Sequence, residues 1–258
     1  MAQTPSEEFH CVAVIQARRG SSRFPDKILK PLGGKPVLQW VIERCHMIEG
    51  VERVVCAIPE DPYNDPIADV ALSAGASVCR GSESDVLGRY MKAVADIDTR
   101  YVMRITSDCP LLDPSLCADI MREVRDRELP YGVTGSWPNG LSCEVFTKSA
   151  LVEADKGATH LFDREHVTLW IKRQFKENCF VLQGDRKTAD ENRWVLDYPE
   201  DYDFLTALVP YLLHQSDATK WQSVLDVVTR HPEIAEINRH LIAEWREKTN
   251  QIYAETAT

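Results

Sequence analysis

Hydrophobic positions in the first half of the chain fall into two alternating kinds of run. Short apolar, β-branched stretches read as buried strands: "CVAVIQA" (11–17), "ERVVCAI" (52–58), "ASVCR" (76–80) and "RYVMRIT" (100–106). Between them the spacing turns helical. Val37, Leu38, Val41, Ile42 and Cys45 recur on one face behind Pro36, and Val86, Leu87, Tyr90, Met91 and Val94 repeat the pattern. Asp65-Pro66 and Asp113-Pro114 each open a further helix, the aspartate able to cap and the proline losing no needed N–H. Such alternation predicts a parallel sheet covered by helices on both faces, with ligands beyond the carboxyl ends of its strands.

The pattern changes after residue 130. "YGVTG", "CEVFT", "NCFVLQ" and "RWVLD" look like strands, "DREHVTLWIKRQF" (163–175) like one intervening helix, and the chain from Pro199 onward is mainly helical. "HQSDATK" (214–220) is the best hinge candidate. The organisation expected is one α/β domain over 8–213, followed by a helical C-terminal extension over 219–258.

Charge narrows the possible partners. The chain has 258 residues with 30 Lys and Arg against 40 Asp and Glu, a formal net charge of -10. That balance argues against a general nucleic-acid or anionic-membrane binder, which needs a basic face. No apolar run reaches membrane-spanning length, and the opening "MAQTPSEEFH" is unlike a signal peptide, so the expected location is the cytoplasm. Eight cysteines are scattered without a C-x-x-C pair, which disfavours both a disulfide framework and zinc-ligand spacing.

Against this acidic background, "VIQARRGSSRFPDK" (14–27) gathers Arg18, Arg19, Arg23 and Lys27 directly after the first strand. It is neither a Walker A loop nor a G-x-G-x-x-G turn. Gly20, Ser21 and Ser22 can offer backbone N–H groups, with Arg18 and Arg23 as hydrogen-bonding forks and Lys27 as a point charge, an arrangement that suits a triphosphate. On spacing alone, a phosphate-binding loop and a solvated charged loop are equally open. In "RITSDCPLLDP", Asp108 follows a strand, and Asp197 ends "RWVLD" just before Pro199. Both sit where the sheet's ligand edge should be. A turn role for Asp108 and a capping role for Asp197 are the plainer readings, although Glu200 and Asp201 can serve that helix start instead.

"IQARRGSSRFPDKILKPLGGKPVLQWVIERC" resembles the opening of the cytidylyltransferases related to CMP-sialic acid and CMP-KDO synthetases, above all the branch of spore-coat polysaccharide biosynthesis. The family's opening is close to Q/P-A-R-x-G-S-x-R-L-P-G-K. Phe24 replaces its leucine and Asp26 its glycine, and the likeness continues along most of 11–213.

The resemblance implies a Rossmann-like nucleotidyltransferase fold, similar to glycosyltransferase A: a mixed, mostly parallel sheet sandwiched by helices. It implies that Arg18, Gly20, Ser21, Arg23 and Lys27 hold the phosphates of CTP. Asp108 and Asp197 would be the ligands of Mg²⁺, a cation that prefers about six oxygens. Arg80, Ser82, Asp85 and Arg89 fall where the family approaches base and ribose. "NGLSCEVF" and "DREHVT" resemble acceptor-side segments, which nominates Gly140, Glu144, Arg164, Glu165 and His166; the last three have a subunit interface as their alternative role. A homodimer is also implied. The expected reaction is attack of an acceptor oxygen on the α-phosphorus of CTP, giving a CMP-linked product and pyrophosphate. A sugar acid is the first acceptor to consider, and a phosphonate or another hydroxy or carboxy metabolite the next. A sugar-nucleotide-dependent glycosyltransferase is the rival enzyme, but Asp108-Cys109-Pro110 lacks the second carboxylate of a D-x-D pair. A non-catalytic nucleotide-binding module is the other alternative.

Overall fold

In the computed structural model, which describes residues 10–247, the alternation read from the first half becomes a parallel sheet. Strand β1 (Cys11–Gln16) lies at its centre. Ala13 and Ile15 point into one core layer, Val12 and Val14 into the other, so the strand is apolar at every position except its last.

The chain continues through the two-residue strands β2 (Pro31–Leu32) and β3 (Lys35–Pro36), which pair with each other, and helix α1 (Val37–His46). Next come β4 (Val51–Pro59), α2 (Asp65–Ser73), β5 (Ser77–Gly81), α3 (Val86–Val94), β6 (Tyr101–Thr106) and α4 (Pro114–Asp126). The second half contributes β7 (Tyr131–Gly135), β8 (Glu144–Thr147), α5 (Lys148–Gly157), α6 (Leu161–His166), α7 (Leu169–Gln174) and β9 (Cys179–Gln183). It ends with α8 (Arg186–Glu191), α9 (Pro199–Leu212), α10 (Trp221–Arg230) and α11 (Pro232–Glu236).

The main sheet has seven strands in the order β5-β4-β1-β6-β8-β7-β9. Strands β5, β4, β1 and β6 run parallel, β8 is antiparallel to both of its neighbours, and β9 returns parallel to β7. The sheet is therefore mixed and mostly parallel, as the resemblance implies. Ile42, Ile67 and Met121 from α1, α2 and α4 bury one face, while Tyr90, Leu151 and Ile171 from α3, α5 and α7 bury the other.

Two elements differ from expectation. "DREHVTLWIKRQF" is two helices, interrupted at Val167 with φ 59° and ψ -59°. This backbone is strained for a β-branched residue, and it fixes the direction in which α6 ends. "RWVLD" forms no strand, only an isolated bridge from Arg193 to Asn139. Its apolar alternation is satisfied instead by burying Trp194 and Leu196 beside Phe204 and Leu205 of α9.

The C-terminal helices share that third core with α9: Val224, Val227 and Ile234 pack with Leu32, Trp40 and Trp194. The 214–220 segment, read above as a hinge, is held by buried Arg44, which donates to the carbonyls of Ala218 and Thr219 at 2.9 and 2.8 Å. Residues 8–9 and 248–258 of the two expected segments lie outside the described residues. Among those described, no helix is long and apolar enough to cross a membrane.

Candidate active site

The cationic loop after β1 is closed by its own ion pair. Arg19 grips Asp26 with two nitrogens, Nε to Oδ1 at 2.6 Å and Nη2 to Oδ2 at 3.1 Å. It also donates to the Tyr63 carbonyl and stacks over that ring at 4.1 Å. Asp26 has φ 57°, the left-handed region that favours glycine and that aspartate tolerates better than most residues. The departure from the family's glycine thus keeps the turn, and Arg19 neutralises the added charge. With Arg19 engaged there, Arg18 and Arg23 remain on the open side.

Lys27 follows this turn, and its side chain is only 10% exposed. Its Nζ lies 2.8 Å from Asp108 Oδ2 and 2.8 Å from Asp197 Oδ1. Arg23 Nη2 is also 2.8 Å from Asp197 Oδ1. The backbone arranges this convergence. Ser107 N–H donates to the Gln16 carbonyl, fixing the end of β6 to β1, and Leu196 N–H donates to the Asp108 carbonyl at 2.8 Å. Asp197 is thereby placed beside Asp108.

Asp201 frees Asp197 from capping. Asp201 Oδ2 accepts the N–H groups of Asp197 and Tyr198 and pairs with buried Arg193, so the plainer reading of Asp197 does not describe the molecule. Asp113 does cap α4, accepting from Ser115 and Leu116.

Electrostatics follow from these contacts. Burial alone would raise the Asp197 carboxyl, but Lys27 and Arg23 overcome it and bring its pKa down to about 2. Burial opposes the charge on Lys27, yet the Asp108 and Asp197 carboxylates hold its pKa above the ordinary value. A cation thus bridges the two carboxylates. Asp108 and Asp197 offer hard oxygen ligands of the kind that Mg²⁺ prefers.

These groups line a cavity of about 300 Å³ at the carboxyl edge of the sheet, together with Arg18, Ser21, Ser22, Arg89, Glu165 and His166. His166 Nδ1 lies 3.0 Å from the Phe162 carbonyl. A carbonyl only accepts, so the ring proton sits on Nδ1.

A family model described as cytidylyltransferase matches residues 12–242. The chain belongs to the cytidylyltransferase family. It is 28% identical to the spore coat polysaccharide biosynthesis protein SpsF of Bacillus subtilis over 86% of this chain and 95% of that protein. It is also 28% identical to the 3-deoxy-manno-octulosonate cytidylyltransferase of Aeromonas salmonicida, over 83% of this chain and 86% of the relative. A solved cytidylyltransferase from Leptospira borgpetersenii shares the fold with a TM-score of 0.81 at 26% identity, covering 88% of this chain and 97% of the other.

In this cytidylyltransferase the remaining sequence-nominated residues divide by position. Gly20 lies on the loop with Ser21 and Ser22, and its added Cβ would come no nearer than 3.6 Å to Glu83. Ser82 lines an adjoining hollow that shares Arg18 and Glu165 with the main cavity. Arg89 is buried and donates Nη1 to the Ser82 and Glu83 carbonyls, shaping the loop before α3.

Several others are not brought to the cavity. Arg80 pairs with Asp65, which sits inside the first turn of α2 rather than capping it. Asp85 caps α3 through Gly88 N–H and pairs with Arg164, which also reaches Asp155. Gly140, at φ 113°, packs so close to Trp194 that a Cβ would lie 2.5 Å from that carbonyl carbon. Glu144 is buried under the cavity, bound by Arg104, Lys172, Tyr131 and Thr168. Sequence reading missed Gln16 and Arg104, both in the cavity lining. Their signal was a polar residue at the end of one buried strand and an arginine within another.

Proposed function

We propose that this enzyme transfers CMP from CTP to a sugar acid, with Mg²⁺ held by Asp108 and Asp197. The observation that carries the reading is the Lys27 ammonium bridging both carboxylates beside Arg18 and Arg23. Backbone amides of Gly20 and Ser22 approach the triphosphate, the Ser21 N–H being donated to the Arg19 carbonyl within the loop, and Arg18, Arg23 and Lys27 stabilise the charge that gathers on the departing pyrophosphate. The acceptor oxygen forms its bond to the α-phosphorus as the bond to the β-phosphate's bridging oxygen breaks, and alignment of the two is the protein's main task. Mg²⁺ would neutralise phosphate charge and polarise the phosphorus. Support for the acceptor class comes from the Aeromonas relative, whose name states a 3-deoxy-manno-octulosonate cytidylyltransferase. A homodimer and a cytoplasmic location belong to the same proposal, and light scattering and cell fractionation check them.

The test is incubation with each of the four nucleoside triphosphates, Mg²⁺ and a panel of acidic metabolites, with products weighed by mass spectrometry. A CMP adduct with stoichiometric pyrophosphate is expected. Asp108→Asn should lower its rate by two orders of magnitude or more. Glycosyl transfer from a sugar nucleotide without pyrophosphate would overturn the reading.

A further inference from the structure

Beneath the phosphate-facing groups, the cavity floor carries a cation that the transfer reaction has not used. Arg104 lies on β6 opposite Glu144 of β8, and its Nη1 donates to Glu144 Oε2 at 2.6 Å. Its Nε donates to Gln16 Oε1 at 3.2 Å, and Tyr90 Oη donates to the same oxygen. Among the described residues, the second terminal nitrogen of Arg104 and the amide nitrogen of Gln16 make no hydrogen bond, and both side chains line the cavity. These are convergent donors without an acceptor.

The charge count at the floor points the same way. Among the described residues Glu144 is the only carboxylate bonded to this group, and it serves two cations, Arg104 at 2.6 Å and Lys172 at 2.8 Å. One negative charge against two positive ones leaves an excess positive charge in a partly buried site. Tyr131 and Thr168 hydroxyls bond the Glu144 carboxylate as well, so its acceptor capacity is filled and Arg104 gains no more from it. An excess cation held away from bulk water is stabilised when a ligand supplies the missing anion. Arginine's planar fork also suits a flat carboxylate or a phosphonate.

We propose that Arg104, aided by the Gln16 amide, receives the anionic group of the acceptor, a carboxylate or a phosphonate. This inference rests on the cytidylyl-transfer reading and gives it a specificity determinant. Glu144 is then a positioning residue that acts through Arg104, which explains why a residue on an acceptor-side motif lies under the cavity and not in it.

The experiment is calorimetry on the full chain saturated with Mg²⁺ and α,β-methylene-CTP. The probes are 3-deoxy-manno-octulosonate, 2-hydroxyethylphosphonate and, as a neutral control, glucose. At least one anionic probe should bind and glucose should not; the two anionic arms decide between carboxylate and phosphonate. Arg104→Gln should weaken the anionic probe at least tenfold, and Arg104→Lys, which keeps the charge on Glu144 without the fork, should fall between. The affinity for α,β-methylene-CTP should stay within twofold in both variants, which also verifies their folding. The inference is overturned if neither anionic probe binds the unaltered chain, if Arg104→Gln binds it as tightly, or if that variant loses the nucleotide analogue. Failure of the unaltered chain to bind the analogue would instead bring down the cytidylyl-transfer reading itself.

Discussion

Lys27 Nζ lies 2.8 Å from an Asp197 carboxylate oxygen although 170 residues separate them in the chain. The contact joins the loop after the first strand to the segment before α9, and Asp108 completes it at the same distance. Lys27→Ala removes the ammonium that bridges the two partly buried carboxylates, leaving Asp197 to Arg23 and Arg193 and taking the bridging cation from Asp108. Pyrophosphate release from CTP should fall about a hundredfold or more in a coupled assay, the size of effect seen when one preorganised charge-stabilising donor is lost. The variant also gives an expectation independent of turnover. Mg²⁺ added without nucleotide should raise its melting temperature more than that of the unaltered protein, because the ammonium no longer competes for the carboxylates. Equal shifts in both proteins would separate Lys27 from the metal site.

The same contact sets an acid limb on stability. Asp197 has an ordinary pKa of 3.8, and with Lys27 and Arg23 beside it the folded-state value is about 2. A carboxyl whose folded pKa is depressed stabilises the fold above its unfolded value, and that contribution disappears as pH falls through the folded one. The window therefore runs from about pH 4 down to pH 2 and amounts to on the order of 2 kcal/mol. Asp197→Asn lacks this limb. Urea midpoints measured between pH 7 and pH 3 should show the variant below the unaltered protein at neutral pH and converging on it in acid. Parallel curves would disprove the assignment.

Asp26 gives a contrasting case, in which the substitution should be mild. Glycine at φ 57° relieves the backbone, while the Arg19 pair that is lost is open to solvent, which screens it, so its loss costs little. Asp26→Gly should melt within a few degrees of the unaltered chain and change the KM for CTP less than threefold. Asp26→Ala loses the same pair and keeps the backbone strain, so it should be the less stable of the two. The reverse order in thermal melts would show that the ion pair, not the turn, shapes the loop.

The parts of the fold legible in the sequence are those where local pattern and tertiary demand agree. Strands at 11–16 and 101–106 are buried on both faces, so their apolar runs mark them directly. The carboxylates at 108 and 197 were legible because each follows an apolar run and precedes a proline. The break at Val167 was not, since a β-branched residue in the left-handed region contradicts its own preference and is imposed by packing. "RWVLD" misled because Trp194 and Leu196 alternate like a strand while burying against helices. Arg104 was hidden for a related reason. Within "RYVMRIT" it looked like an interruption of an apolar run, and only the pairing of β6 with β8 shows that Glu144 lies opposite it.

The most severe structural effect should come from a residue that touches no substrate. Arg193 and Asp201 form an ion pair with side chains 1% and 0% exposed. Breaking such a pair by changing one partner costs about 3–5 kcal/mol, because the other charge stays buried. Asp201→Asn should therefore lower the melting temperature by roughly 10 °C in a chain of this size. Apolar replacement of both partners often restores stability at a buried pair, and here it should not. Asp201 also accepts the N–H groups of Asp197 and Tyr198 and the Asn238 amide, which an apolar side chain would leave unpaired. Arg193→Met with Asp201→Leu should remain destabilised, and its loss of CTP turnover should exceed that of Asp26→Gly, since the Asp197 backbone is released. A double variant as stable as the unaltered protein would mean that the Asp201 carboxylate does not hold Asp197 in place.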